Sequence, residues 1–135
     1  MTYISEKETY KIKIVIVGCG RISKKHITAI IEEYKRCELV ALCDNNEISI
    51  DNICNFYKEN LEKNKLVFKN LKRYVNYEEL INAHLQKKLT IDLIVLATPS
   101  GLHPMQTIMA SKAGINICTE KPMALTIADA EAMIK

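Results

Sequence analysis

The chain has 135 residues, 48% of them hydrophobic and 26% charged, with a formal charge of +3 from 19 basic and 16 acidic side chains. That is about one globular domain: too apolar for a disordered or fibrous segment, long enough to bury a core without disulfides or a structural metal, with little room for a second domain. The basic side is almost all lysine, with Arg21, Arg36 and Arg73 the arginines, and aromatics are 6%, so the arginine forks and stacking rings of a nucleic-acid surface are missing.

Lys11 to Val17 begins as an alternating strand and ends as a continuous β-branched run, the pattern of a strand buried on both faces of a parallel sheet. It stops at Gly18-Cys19-Gly20. Ile27, Ile30, Ile31 and Tyr34 then fall on one helical face. Glu38 to Cys43 reads as a second buried strand ended by Asp44-Asn45-Asn46, and Ile50, Ile53, Cys54, Tyr57 and Leu61 keep helical spacing after it. The stretch from Asn64 to Asn76 carries little pattern, with a short third strand placed near Arg73 to Val75; Lys58 to Arg73, dense in lysine but also holding Glu59 and Glu62, reads as a solvated face. Asn76 with Glu79 resembles a capping box opening a helix through Leu80, Ile81 and Leu85. Ile91 to Ala97 is a fourth strand, broken at Thr98-Pro99-Ser100-Gly101. A helix with Met105, Ile108 and Met109 inward runs to Gly114, placed as its C′ cap. Ile115 to Thr119 is a fifth strand, and Thr126 with Asp129 caps a last helix running to Lys135.

Strands alternate with helices and no hairpin signal intervenes, so the expected fold is α/β: a doubly wound parallel sheet of the Rossmann type, one domain over residues 1–135. Five cysteines, at 19, 37, 43, 54 and 118, show neither Cys-x-x-Cys nor zinc-finger spacing. Their odd number, a polar Met1 to Tyr10 without an apolar leader, and apolar runs far below the ~18 residues of a membrane span give the expectation of a soluble cytoplasmic protein with reduced thiols and no metal.

In a doubly wound sheet ligands bind beyond the carboxyl ends of the strands, where strand order reverses. Gly18-Cys-Gly-Arg-Ile-Ser23 is Gly-x-Gly-x-x-Ser between a buried strand and an amphipathic helix, the context of a dinucleotide fingerprint. Gly18 permits the tight turn, Gly20 lets backbone approach a pyrophosphate, and the helix N-terminus offers N–H groups to it; Ser23 stands at the third glycine position, where it could loosen the helix–strand packing slightly. Asp44, 24 positions beyond Gly20, can accept from adenosine ribose hydroxyls and would repel a 2′-phosphate, which favours NAD over NADP; Arg21 argues the other way, and a helix cap or turn remains the alternative role for Asp44. His103 and Lys121 stand out only because both follow strands on the binding edge. Lys121 beside Glu120 suggests a paired ammonium that could steady a developing alkoxide or pass on a proton.

Gly18 to His26, Cys43-Asp44, Thr98-Pro-Ser-Gly-Leu-His-Pro104 and Thr119-Glu-Lys-Pro-Met123 together resemble the N-terminal half of the Gfo/Idh/MocA oxidoreductases, in order and over residues 11–135. Two of these segments are more similar to those of UDP-N-acetylglucosaminuronate 3-dehydrogenases. The resemblance implies an NAD cofactor, with its pyrophosphate on Gly18, Gly20, Arg21 and Ile22, its adenosine ribose on Asp44, and its nicotinamide side along Thr98, Pro99, Ser100 and His103. Glu120 and Lys121 would lie by the nicotinamide ribose and the substrate hydroxyl, Lys121 as the catalytic residue, with Lys121–Pro122 a cis peptide that turns the lysine inward. His26 matches as well, as a structural helix residue. The implied reaction is oxidation of a sugar secondary alcohol by hydride transfer to nicotinamide, the substrate a nucleotide sugar, or alternatively a free sugar or polyol; a non-catalytic dinucleotide-binding module is the reading from another class. The resemblance further implies a homo-oligomer and, since the family's substrate domain has no counterpart in these residues, an excised or truncated cofactor domain that is inactive alone.

Overall fold

A computed structural model of the chain describes residues 10–135, so the polar opening stretch read above lies almost wholly outside the described residues. The elements are β1 (Ile12–Val17), α1 (Ser23–Glu32), β2 (Cys37–Cys43), α2 (Glu47–Lys63), β3 (Lys72–Tyr74), α3 (Tyr77–Leu85), β4 (Leu93–Leu96), a short 3-10 turn (Ser100–Leu102), α4 (His103–Lys112), β5 (Asn116–Thr119) and α5 (Ile127–Ile134). All strand pairings are parallel, in the order β3-β2-β1-β4-β5. The chain crosses from the β1–β2–β3 side to β4 directly beside β1, so the crevice of the sheet opens above the ends of β1 and β4.

The β-branched run of β1 serves two cores at once. Ile14 and Ile16 pack with Ile27, Ile30 and Ile31 of α1 and Ile50, Ile53 and Leu61 of α2 on one face. Val15 and Val17 pack with Leu80 and Ile81 of α3 and Ala110 of α4 on the other. Burial on both faces is why β1 and β4 lack polar alternation. In β2 the register slips, so that Ile14 faces Leu39 and Val15 faces Ala41. Val40 is the extra residue of this bulge, and it joins Ala41 on the α3–α4 side.

Capping side chains fix where most helices start. Asn46 accepts from the N–H groups of Ile48 and Ser49, Asn76 from Glu79 and Thr126 from Asp129. At the end of α4, Gly114 takes φ +76 while Ile115 N–H donates to Ala110 O and Gly114 N–H to Ser111 O, the paired bonds of a Schellman cap.

Three expectations fail on side-chain direction. Tyr34 lies beyond α1 and is exposed, as is Leu85 at the end of α3. On α4 the buried face is His103, Gln106, Thr107 and Ala110, whereas Met105 is exposed and Ile108 and Met109 are half-buried. The third strand runs one residue earlier than expected, as an exposed edge carrying Lys72 and Arg73. Among the described residues no helix is long and apolar enough to cross a membrane, and no cluster of three potential metal ligands occurs.

Candidate functional site

The turn after β1 is held from both neighbouring strands. Gly18 N–H donates to Cys43 O at 2.8 Å, and Ala97 N–H donates to Val17 O at 2.7 Å. Gly18 has φ +95, and a Cβ there would stand 2.6 Å from both the carbonyl carbon and the oxygen of Ala97. Glycine is therefore required twice over, by conformation and by the approach of β4. At Gly20 a Cβ would meet no heavy atom within 4 Å. Its open side faces the crevice, so the backbone there is accessible to a ligand.

The N–H groups of Gly20, Arg21 and Ile22 find no acceptor among the described residues. Helix α1 follows with no capping side chain and no acidic residue in its first turn, which instead carries Lys24 and Lys25. Unpaired N–H groups at the positive end of a helix dipole form a cradle for an anion, and a pyrophosphate fits it. Ser23 does not loosen this turn. It is fully buried, and its hydroxyl donates to Gly20 O at 2.5 Å, tying the loop to the helix.

Asp44 closes the other side. Its Oδ2 accepts from Cys19 N–H at 2.7 Å and its Oδ1 from Asn46 N–H at 2.8 Å. The helix cap is Asn46, so the carboxylate links the glycine loop to the turn after β2 and keeps lone pairs for hydroxyl donors. Burial, reinforced by the Asp44 charge, pushes the neighbouring Cys19 and Cys43 thiols up to about 12 and keeps both protonated.

A cleft of about 370 Å³ brings together Gly18, Gly20, Asp44, Thr98 and Pro99. Its remaining wall includes Val75, Tyr77, Leu102 and Gln106. Thr98 Oγ1 bonds Gln106 Oε1 at 2.6 Å, and the Tyr77 hydroxyl, raised in pKa by burial, donates to Gln106 O at 2.6 Å. Sequence reasoning missed Gln106 and Tyr77. The available signal was Gln106 standing three residues after His103, on one helical face with it. Arg21 is exposed and does not line the cleft that holds Asp44; it lines a separate recess with Lys24, Ser49 and Asn52 between α1 and α2. Ser100 opens the 3-10 turn and does not line the cleft.

His103 is fully buried, with Nε2 2.9 Å from Thr98 O and Nδ1 3.2 Å from Pro122 O. It fastens the loop after β4 to the loop after β5. Lys121–Pro122 is cis, and Lys121 is exposed, not turned into the protein. Glu120 does not pair with it: the Glu120 carboxylate bonds His26 Nε2 on α1.

The model of a family described as an oxidoreductase family with an NAD-binding Rossmann fold (Gfo/Idh/MocA) matches residues 12–135. The WlbA dehydrogenase of Bordetella pertussis, solved in complex with NADH and UDP-GlcNAcA, is 34% identical with a TM-score of 0.74, over 93% of this chain and 34% of its own. The scyllo-inositol dehydrogenase of Lactobacillus casei, solved with NAD(H) and scyllo-inositol, is 27% identical with a TM-score of 0.70, over 92% and 32%. D-Apiose dehydrogenase of Paraburkholderia graminis is 28% identical over 124 residues, 92% of this chain and 28% of its own. The chain thus spans about a third or less of each relative's length.

Proposed function

The chain belongs to the Gfo/Idh/MocA oxidoreductase family, as its NAD-binding Rossmann fold, and from that premise we propose that it supplies the cofactor half of a site that oxidises a sugar secondary alcohol. The observation that carries this reading is the set of unpaired N–H groups at Gly20 to Ile22, above the uncapped start of α1 and beside the Asp44 carboxylate.

In this reading the N–H groups of Gly20, Arg21 and Ile22 hold the pyrophosphate, and Gly18, its own N–H bound to Cys43 O, makes the turn that presents them. Asp44 takes the adenosine ribose hydroxyls and, by its charge, disfavours a 2′-phosphate. Val75, Leu102 and Gln106, which wall the cleft, would receive the adenine. Thr98 and Pro99 lead to the nicotinamide side. Ser100 and His103 act there through the loop they shape, since the buried His103 ring faces the carbonyls of Thr98 and Pro122. Glu120 accepts from the nicotinamide ribose. When bound, NAD supplies the hydride acceptor. The exposed Lys121 ammonium would hold the substrate oxygen while a base on the substrate-side domain takes the hydroxyl proton.

For the substrate we propose a UDP-N-acetyl-sugar acid, supported by the 34% identity to a dehydrogenase solved with UDP-GlcNAcA against 27–28% to scyllo-inositol and D-apiose dehydrogenases. We further propose that turnover needs a substrate-side domain beyond these residues. The test is NAD reduction by the full translation product of the source gene, offered UDP-GlcNAcA, inositols and free aldoses. Preference for UDP-GlcNAcA supports the reading, and preference for an inositol or aldose replaces the substrate. Lys121→Ala should abolish turnover while leaving NAD affinity within a few fold; undiminished turnover contradicts the role of Lys121.

A further inference from the structure

Lys121 sits between two residues that are each held by a histidine from a different helix. On one side, Glu120 donates its N–H to Leu96 O at 3.1 Å, which extends the β4–β5 pairing, and its carboxylate Oε1 meets His26 Nε2 of α1. On the other side, Pro122 O faces the ring of His103, on α4. The His26 and Glu120 side chains are 23% and 31% exposed, so their contact lies at the rim of the site and not in a core. A partly exposed pair at a rim contributes modestly to stability, which leaves open what this one does. It reaches across 94 positions of sequence to join the helix of the glycine fingerprint to the segment that carries Lys121.

We propose that His26 is a positioning residue for cofactor binding: by occupying one oxygen of Glu120, it holds the other toward the nicotinamide ribose and keeps the carboxylate from collapsing onto Lys121. Glu120 Oε2 has no partner among the described residues, so one acceptor stays open for a ribose hydroxyl. Without the imidazole, the nearest cation in sequence is the Lys121 ammonium. Pairing with it would withdraw the ribose acceptor and neutralise the lysine together. This proposal rests on the reading that Glu120 faces the cofactor.

The test is a double-mutant cycle on NAD affinity, measured by titration calorimetry on this chain. Loss of a hydrogen bond to a charged acceptor weakens binding by about tenfold or more, so Glu120→Ala and His26→Ala should each do so. The double variant should bind no more weakly than Glu120→Ala alone, because His26 acts through that carboxylate. His26→Gln retains an N–H donor and should bind within about threefold of wild type. His26→Leu, which keeps bulk without a donor, replaces His26→Ala if the latter unfolds. Wild-type affinity in the donor-free variants, losses that multiply in the double variant, or no rescue by glutamine overturns the proposal. Failure of the wild type to bind NAD, or unchanged affinity in Glu120→Ala, instead removes the reading of Glu120 and the proposal with it.

Discussion

The two glycines of the fingerprint should fail in opposite ways when each is replaced by alanine. At residue 18 the new Cβ would lie 2.6 Å from the carbonyl carbon and oxygen of Ala97 and 2.9 Å from Thr98 N, against the ~3.5 Å of a relaxed carbon contact. All three atoms are backbone, and the end of β4 cannot retreat without breaking the 2.7 Å bond from Ala97 N to Val17 O. The left-handed φ of +95 adds about 1–2 kcal/mol for a residue with a side chain, and overpacking of this kind about 1–3 kcal/mol. The expected loss is therefore about 3 kcal/mol, or on the order of 10 °C in Tm for a domain of this size. At residue 20 a Cβ meets nothing, and the same substitution should leave Tm unchanged or raise it slightly, by up to about 1 kcal/mol of unfolded-chain entropy. That methyl group would, however, occupy space proposed for the pyrophosphate, and NAD affinity should fall at least tenfold. Thermal melts and calorimetric titrations on the two variants read both effects. Gly18→Ala melting within about 3 °C of wild type would refute the packing argument, and Gly20→Ala binding NAD like wild type would refute the path assigned to the cofactor.

Three further outcomes follow from the same geometry. Asp44→Ser removes a charge that accepts from Cys19 and Asn46 N–H groups, so it should weaken NAD binding and shrink the preference over NADP by about tenfold; an unchanged ratio of the two affinities removes Asp44 as the discriminator. His103→Ala removes the ring between the carbonyls of Thr98 and Pro122, leaving at least one of them without its N–H donor, and opens a cavity, costing about 2–4 kcal/mol in a denaturant melt; a loss under 1 kcal/mol would show that the two loops do not depend on the ring. The buried Cys19 and Cys43 thiols, raised from 9.0 to about 12, hold their protons in the folded state after an unfolded chain has released them. Stability from this source is complete below pH 9 and lost as pH rises toward 12, with a slope of about 1.4 kcal/mol per pH unit for each thiol. A stability profile flat from pH 9 to 11 would contradict it, as would fast labelling of Cys19 or Cys43 at neutral pH, where exposed Cys118 should react first.

What could be read from the sequence follows from what is local. β1 and β4 are central strands covered on both faces, so burial writes itself as unbroken apolar runs, and the caps at Asn76, Thr126 and Gly114 act within a few residues. The parallel five-stranded sheet was legible on that basis. The inward face of α4 was misread because Met105, Ile108 and Met109 are the apolar residues there, yet the helix turns His103, Gln106 and Thr107 inward to meet Thr98, Pro122 and Tyr77. The bulge at Val40 hides in a strand that is hydrophobic throughout. At the site, Gly18 was legible because backbone geometry dictates its type, whereas Gly20 and Asp44 were singled out for what they would offer a ligand. The partner of Glu120 was not: adjacency suggested Lys121, whereas the fold delivers His26 from 94 positions away.

Calorimetric titration of the chain with NAD and, in parallel, NADP should show NAD saturating a single site per chain, with NADP clearly weaker. Absence of binding by either dinucleotide would contradict the cofactor site, and tighter binding of NADP would contradict the role given to Asp44.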